Sequence, residues 1–571
     1  MLFITLTFCL LIGIGNPAAA GIPVQIHVHG IDDERADKNV RNTLNNMLSW
    51  LPVPTVDSAV RRFALRAPEK IQKSLQPFGY FNAKVSTSLK QQGQHWVATF
   101  NVDPGQKVTI ASVKIRVTGP GKDDVHIAKE NERFPLRVGD PLETTPFERA
   151  KLDIYEAAQE RGYFNGKFST SKIVIDLKNH RASILLVFNT GERSRYGSTS
   201  FSNSPFADSF IRRFLSYRRG EYYDLSKSRM TQRYLTGSPY FAQATVRPQL
   251  QDIRYGEVPI HVNLIPRKKR RTMFGLGWGT DTGLRGTLGM SWRYVNKLGH
   301  RFKTLIRGSE RNTQMNATYT IPGFNPVTDS INFTGGLQRI NQTTGVSNNG
   351  YGAFYYKTML GGWQQTLSLN YLSELYEMKN QAQQHGNLIY PSIVWSRLYL
   401  DSQFNPTKGY DFYLRVAATP ITFGPGNQGF LQARARTHWL VSFLPGSRLL
   451  MRAEAGYMDI QQLNNLPLSL QMFAGGARSV RGYTFNSLGP GRELFTASIE
   501  LQQHVWGNFF FGVFFDVGNV ANKNLFQKVK EGVGPSVIWM SPVGMMELSI
   551  AKAISQPNSP WVVQFSMGPI L

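Results

Sequence analysis

The sequence predicts a chain in two parts: three small α+β repeats of order β-α-α-β-β, then a membrane β-barrel of about 16 antiparallel strands. Three observations carry this. A pattern of helix, glycine and aromatic residues recurs three times before residue 266. From Thr272 onward, period-2 alternation takes over. Beyond residue 20, no apolar run reaches the roughly 20 residues that a spanning helix needs.

The repeats are anchored on Gly79-Tyr80-Phe81, Gly162-Tyr163-Phe164 and, more loosely, Gly237-Ser238-Pro239-Tyr240-Phe241, spaced about 80 residues apart. Glycine suits a helix C-terminus because it takes the left-handed conformation without strain. Before it the pattern is helical: Val40, Leu44, Met47 and Leu48, then Ile71, Leu75 and Phe78. The aromatics are expected to pack on the helices of their own repeat. A strand leads in, with Val24, Ile26 and Val28 alternating, and each repeat closes on a strand: His95 to Val102, Ser183 to Phe188, Val258 to Leu264. The predicted boundaries are 21–105, 106–191 and 192–266, with the barrel over 267–571.

In the barrel half, Phe495, Ala497, Ile499 and Leu501 face one way, and Thr496, Ser498, Glu500 and Gln502 the other. Met451, Ala453, Ala455 and Tyr457 likewise oppose Arg452 and Glu454. Alternation with charge on one face only is expected of strands with lipid outside and a polar lumen inside. Gly323-Phe324-Asn325-Pro326, Asn348-Asn349-Gly350 and Leu444-Pro445-Gly446 read as turns. About 300 residues at roughly 18 to 20 per strand and connection give about 16 strands.

Residues 1–20 read as a secretory signal: an apolar run from Leu2 to Ile14, then Asn16-Pro17-Ala18-Ala19-Ala20. No Lys or Arg precedes the run, and a retained anchor is the alternative. Cys9, the one cysteine, lies inside it, so the processed chain would carry no disulfide, thiolate metal site or cysteine nucleophile. The net charge is +26, from 64 Lys and Arg against 38 Asp and Glu. In an exported chain with scattered cations, this favours anionic lipid or lipopolysaccharide over nucleic acid. The dense run Arg267-Lys268-Lys269-Arg270-Arg271 falls where the two parts meet. It reads as the periplasmic rim of the barrel or, equally, as a solvated linker.

Two segments single themselves out chemically. In Phe509 to Gly518, Phe509, Phe511, Val513, Phe515 and Val517 form one face, and Asp516 falls on the other with Gly512 and Gly518. Asp516 therefore points into the lumen, as does Glu500. A buried carboxylate is costly unless paired. Gly475-Gly476-Ala477-Arg478-Ser479-Val480-Arg481-Gly482-Tyr483 supplies the candidate cation, Arg481, whose fork can hold carboxylates bidentately. The other reading is that these acids line a wet pore. No enzyme motif is present, no catalytic residue or cofactor is expected, and His27 and His29 lack further ligands for a metal.

Val480-Arg481-Gly482-Tyr483 and Phe514 to Gly518 resemble the two signature motifs of the outer-membrane barrel-assembly and secretion superfamily, which joins periplasmic POTRA domains to a barrel. Gly275 to Gly283 resembles its first strand and hairpin, Asp401 to Gly409 a mid-barrel turn, and Gly532-Val533-Gly534-Pro535 with Ser541-Pro542-Val543-Gly544 its last strands. Three repeats, read as POTRA domains, match the translocation-and-assembly branch, TamA. The C-terminal Met567-Gly568-Pro569-Ile570-Leu571 departs from the usual aromatic end, a place that Phe565 can fill. The resemblance implies an outer-membrane location with the POTRA domains in the periplasm. It also implies insertion or secretion of outer-membrane proteins, autotransporters foremost, and a TamB-like inner-membrane-anchored partner. In that superfamily the motif arginine sits on a long loop folded into the barrel and meets the motif aspartate. The expected working part is a lateral seam between the first and last strands, loosened by Gly275, Gly277 and Gly279 and faced by Phe565. The alternative is a two-partner-type pore that exports a dedicated protein through its lumen.

Overall fold

The repeats form because each pairs a short three-stranded sheet with helices too small to bury their apolar faces alone. A computed structural model describes residues 24–51, 56–93, 95–402, 405–419, 429–542 and 544–568. The segment 1–20, read from sequence as a signal, Gln403, Phe404, Val543 and the last three residues lie outside the described residues.

The first repeat runs through strand Val24–His29, helices Glu34–Ser49 and Asp57–Leu75, and strands Lys84–Gln92 and His95–Asp103. Its closing strand lies in the middle of the sheet, parallel to the first and antiparallel to its neighbour. Val40, Leu44, Phe63, Ile71 and Leu75 fill the core with Ala98 and Phe100. The second repeat repeats this order with helices Val125–Glu132 and Thr144–Glu160. In the third, the first helix shrinks to Asp208–Ile211, and the long helix Leu225–Gly237 contains its glycine.

The paired aromatics do more than pack at home. Tyr80 joins the first core, but Phe81 packs against the core of the second repeat. Phe164 meets Tyr223 of the third, with ring centres 4.9 Å apart. The two glycines before them have φ of +92° and +91°, and a Cβ on Gly162 would lie 2.8 Å from Tyr223. The motif is therefore a joint between repeats as well as a helix stop.

Polar contacts strengthen the first joint. Asp33 caps its helix by accepting from the Arg35 and Ala36 amides at 3.1 and 3.2 Å, and accepts from Lys107 Nζ at 2.8 Å. The Lys107 hydrogen bond holds the Asp33 carboxyl below its ordinary 3.8. Its stabilisation is thus full above that value and fades as pH falls through the lowered one. Asp33→Ala is expected to cost about 1 kcal/mol locally. Hydrogen exchange should show residues 34–36 opening faster at neutral pH, with the difference from wild type shrinking in acid.

From Arg270 to Gly568, sixteen strands form one antiparallel sheet in sequence order, interrupted only by the long connection between Ser447–Ile460 and Glu493–Trp506. Outward residues such as Phe511, Val513, Phe515, Ile499, Leu548 and Val563 are exposed, as a lipid-facing surface requires. Rings gather where strands turn on the side at which the chain enters the barrel. Trp506, Phe509 and Trp539 stack in file, and Tyr410 stacks on Tyr399 and meets Trp439 at a tilt. No described helix is long and apolar enough to cross a membrane.

Two readings need correction. Asn348-Asn349-Gly350 is not a turn: it lies inside strand Gly345–Leu360, with Asn349 opposite Gln338 and Glu374. Polar residues facing a filled lumen mimic turn chemistry. The basic run is also only partly free. Arg270 and Arg271 open the first barrel strand, the Arg267 side chain donates to the Phe241 carbonyl at 2.8 Å, and Lys269 lies over the Tyr294 ring.

Candidate functional site

The connection 461–492 is rich in leucine because it lies inside the barrel. Leu463, Leu466, Leu470, Met472 and Ala474 share a core with luminal Leu372, Leu388, Phe430, Met458 and Leu494. Ser469 donates to Glu374, a fully buried acid of the wall, from its amide at 3.1 Å and from its hydroxyl. Two short strands, Met472–Ala474 and Leu488–Gly491, pair with each other and present the segment between them to the far wall.

Arg481 sits at that wall, wholly buried. Its Nε donates to Asp516 Oδ2 at 2.7 Å and its Nη2 to Asp516 Oδ1 at 2.8 Å, a two-pronged pair. Nη1 donates to Glu500 Oε2 at 2.7 Å and to Glu547 Oε1 at 2.8 Å. The Arg481 amide adds a bond to Asp516 at 2.9 Å, and the guanidinium lies 3.4 Å from the centre of the Phe514 ring. Arg452 approaches Glu500 at 3.8 Å and supplies further positive charge. One planar cation thus meets three carboxylates from three strands, a geometry that an ammonium cannot copy.

The wall is shaped for this loop. A Cβ on Gly532 would lie 2.0 Å from the Arg481 carbonyl, and one on Gly518 would lie 2.8 Å from Val480. The Gly482 amide donates to Gln564 Oε1 at 2.9 Å, Gln564 Nε2 donates to the Tyr483 carbonyl at 3.3 Å, and the Tyr483 hydroxyl reaches the Glu531 carbonyl at 3.4 Å. Gly532→Ala should expel the loop while leaving Arg481 and its acids in the chain, at a cost of about 1–3 kcal/mol. Protease should then cut within 475–487, while the barrel keeps its folded mobility in an unheated gel.

The first strand, Arg270–Gly279, and the last, Trp561–Gly568, end the sheet, and no ladder joins their described residues. Among the described residues, the links gather at one end. The Thr280 amide donates to the Phe565 carbonyl at 3.1 Å, and the Phe565 amide donates to Thr280 Oγ1 at 3.2 Å. Trp278 and Phe565 rings lie 5.5 Å apart. Arg285 Nη2 donates to the Met567 carbonyl at 2.7 Å. A Cβ on Gly277 would sit 2.6 Å from Arg285 Nε and would push that side chain aside. Gly279 lies beside the Phe565 carbonyl, while Gly275 faces Thr287 at ordinary contact distance. Residues 270–276 of the first strand are exposed.

Several members of the site are absent from the sequence reading. Glu547 was findable: in Met545 to Ala553, Leu548 and Ile550 face out, which puts Glu547 and Ser549 inside. Gln564 and Asp281 give no local signal. Asp281 lies in the first hairpin and accepts from the Ala477 amide at 2.8 Å. The loop therefore touches both sides of the seam, through Asp281 next to the first strand and Gln564 on the last.

Comparison with known proteins agrees with this architecture. Residues 295–569 match the Omp85 superfamily domain, and residues 25–104 match the POTRA domain described as TamA domain 1. The chain is similar in fold to BamA from Haemophilus ducreyi lacking POTRA domains 1–3. The TM-score is 0.68 at 17% identity, over 80% of this chain and 99% of that one. CdiB from Acinetobacter baumannii aligns over 94% of this chain and 99% of its own at 12% identity, with a TM-score of 0.47. Residues 295–569 thus form an Omp85 superfamily domain, a barrel of the outer membrane, and residues 25–104 a TamA-type POTRA domain on its periplasmic side.

Proposed function

We propose that this protein is the outer-membrane subunit of a translocation and assembly module, and that it inserts β-barrel clients such as autotransporters by strand templating at its lateral seam. The observation that carries this is the unpaired edge. The first strand exposes residues 270–276 and has no ladder partner on that side among the described residues. An open edge offers its backbone donors and acceptors to an incoming strand. The POTRA domains would receive clients and dock a TamB-like, inner-membrane-anchored protein. Lipid, including lipopolysaccharide, would surround the barrel.

The loop is the proposed lock. Val480, Arg481, Gly482 and Tyr483 hold it on Asp516 and Glu500, and its contacts to Asp281 and Gln564 tie that lock to the seam. Release of Arg481 would free both seam strands together. A lumen filled by residues 463–483 favours the seam over export through the pore.

The test is reconstitution. Liposomes carrying the purified protein should accelerate the folding of a urea-unfolded autotransporter barrel, read by heat-modifiable gel mobility. Equal folding in empty liposomes would defeat the proposal.

A further inference from the structure

Inside the barrel, at the end where the chain enters from the third POTRA domain, five cations line one chamber: Arg271 and Arg293 near the ends of their strands, and Arg301, Lys303 and Lys357. Arg301 opens strand Arg301–Ser309, Lys303 follows on the same face, and Lys357 lies near the end of strand Gly345–Leu360. The ladder brings them together: Arg301 pairs with Thr320, Thr320 with Asn332 and Asn332 with Tyr355, while Lys357 pairs with Ser330. The cavity that they line has a volume of about 540 Å³, and among the described residues no Asp or Glu lines it.

The polar neighbours are engaged with one another. Thr320 Oγ1 donates to Asn332 Oδ1 at 2.8 Å, and Asn332 Nδ2 donates to Ser330 Oγ at 3.0 Å. Arg301 Nε is buried without a hydrogen-bond partner. The charged group that Lys357 faces is Arg301, another cation. On another stretch of its wall the same barrel meets Arg481 with three carboxylates. Like charges gathered in a half-enclosed space repel strongly unless a counter-charge is supplied. In this chamber the protein does not supply it.

We propose that the chamber binds a phosphate-class anion. A guanidinium fork beside two ammonium groups suits a group with several charged oxygens in tetrahedral array. The volume falls in the range of small-ligand sites. Free phosphate and the phosphodiester of a phospholipid headgroup share this chemistry. A bound anion would brace the first six strands, which include the open edge. This inference stands apart from the proposed assembly function.

The test uses the full chain, folded in a zwitterionic detergent without phosphate, and follows its thermal unfolding. Inorganic phosphate should raise the unfolding temperature saturably, and acetate at equal ionic strength should not. Lys357→Gln and Arg301→Gln should each weaken phosphate binding about tenfold or more. Lys357→Gln should also raise the unfolding temperature in phosphate-free buffer, because it removes a repelling charge. Arg307→Gln, a luminal arginine outside the chamber, should bind phosphate as wild type does. Variants are compared only where unheated gel mobility shows a folded barrel. A second arm places the protein in phosphatidylglycerol or phosphatidylcholine nanodiscs. Stabilisation by inorganic phosphate that the chamber variants lose supports the site with a soluble anion. Stabilisation by phosphatidylglycerol alone, lost in the same variants, supports it with a lipid headgroup. Equal effects of acetate, no stabilisation in either arm, or chamber variants that respond like wild type would overturn it.

Discussion

Arg481→Ala is expected to abolish assembly activity and to open the luminal loop to protease, while the barrel still inserts. The substitution leaves Asp516, Glu500 and Glu547 buried with their main cation gone. Breaking a buried pair by removing one partner costs about 3–5 kcal/mol, because the remaining charge has no compensation. The loop can escape that cost by leaving the wall, which admits water to the acids. Arg481→Lys should recover little. One ammonium cannot serve both oxygens of Asp516 and also reach Glu500 and Glu547. Unheated gel mobility separates loss of the lock from loss of the barrel. Wild-type activity together with an uncut loop would refute the role given to Arg481.

Locking the seam should be equally severe. The sequence places its one cysteine at position 9, so Thr280→Cys with Phe565→Cys introduces the only thiols beyond residue 9. The backbones of these residues already meet at 3.1 Å. Oxidation should cross-link them and reduce client insertion about tenfold or more, since templating needs the edge free of its neighbour. Reduction should restore activity. Full activity of the oxidised form would exclude lateral opening.

The legibility of this chain follows from the range of the interactions involved. Strand parity is local, so Asp516 and Glu500 were assigned to the lumen from their neighbours alone, and the ladder pairs their strands. The same parity reaches Glu547, but its strand, with Met545, Met546 and Lys552, alternates less cleanly than the phenylalanine-rich one before it. Asp281 and Gln564 join the loop through contacts spanning 196 and 82 residues, beyond what periodicity reports. Asn348-Asn349-Gly350 was misread because composition does not separate a turn from an inward polar strand. The aromatic pairs were legible as a repeat but not as joints: nothing local says that Phe81 belongs to the next core. The three-repeat, sixteen-strand plan was legible because both rest on patterns that recur.

The central claim is that clients meet this protein at its seam rather than in its lumen. Single cysteines on the first strand, such as Leu276→Cys, can be compared with luminal ones, such as Arg436→Cys, during assembly of an autotransporter carrying cysteines in its last strand. The account predicts client cross-links at Leu276→Cys that appear and decay with assembly, and none at Arg436→Cys. Cross-links confined to the luminal position would contradict it and favour export through the pore.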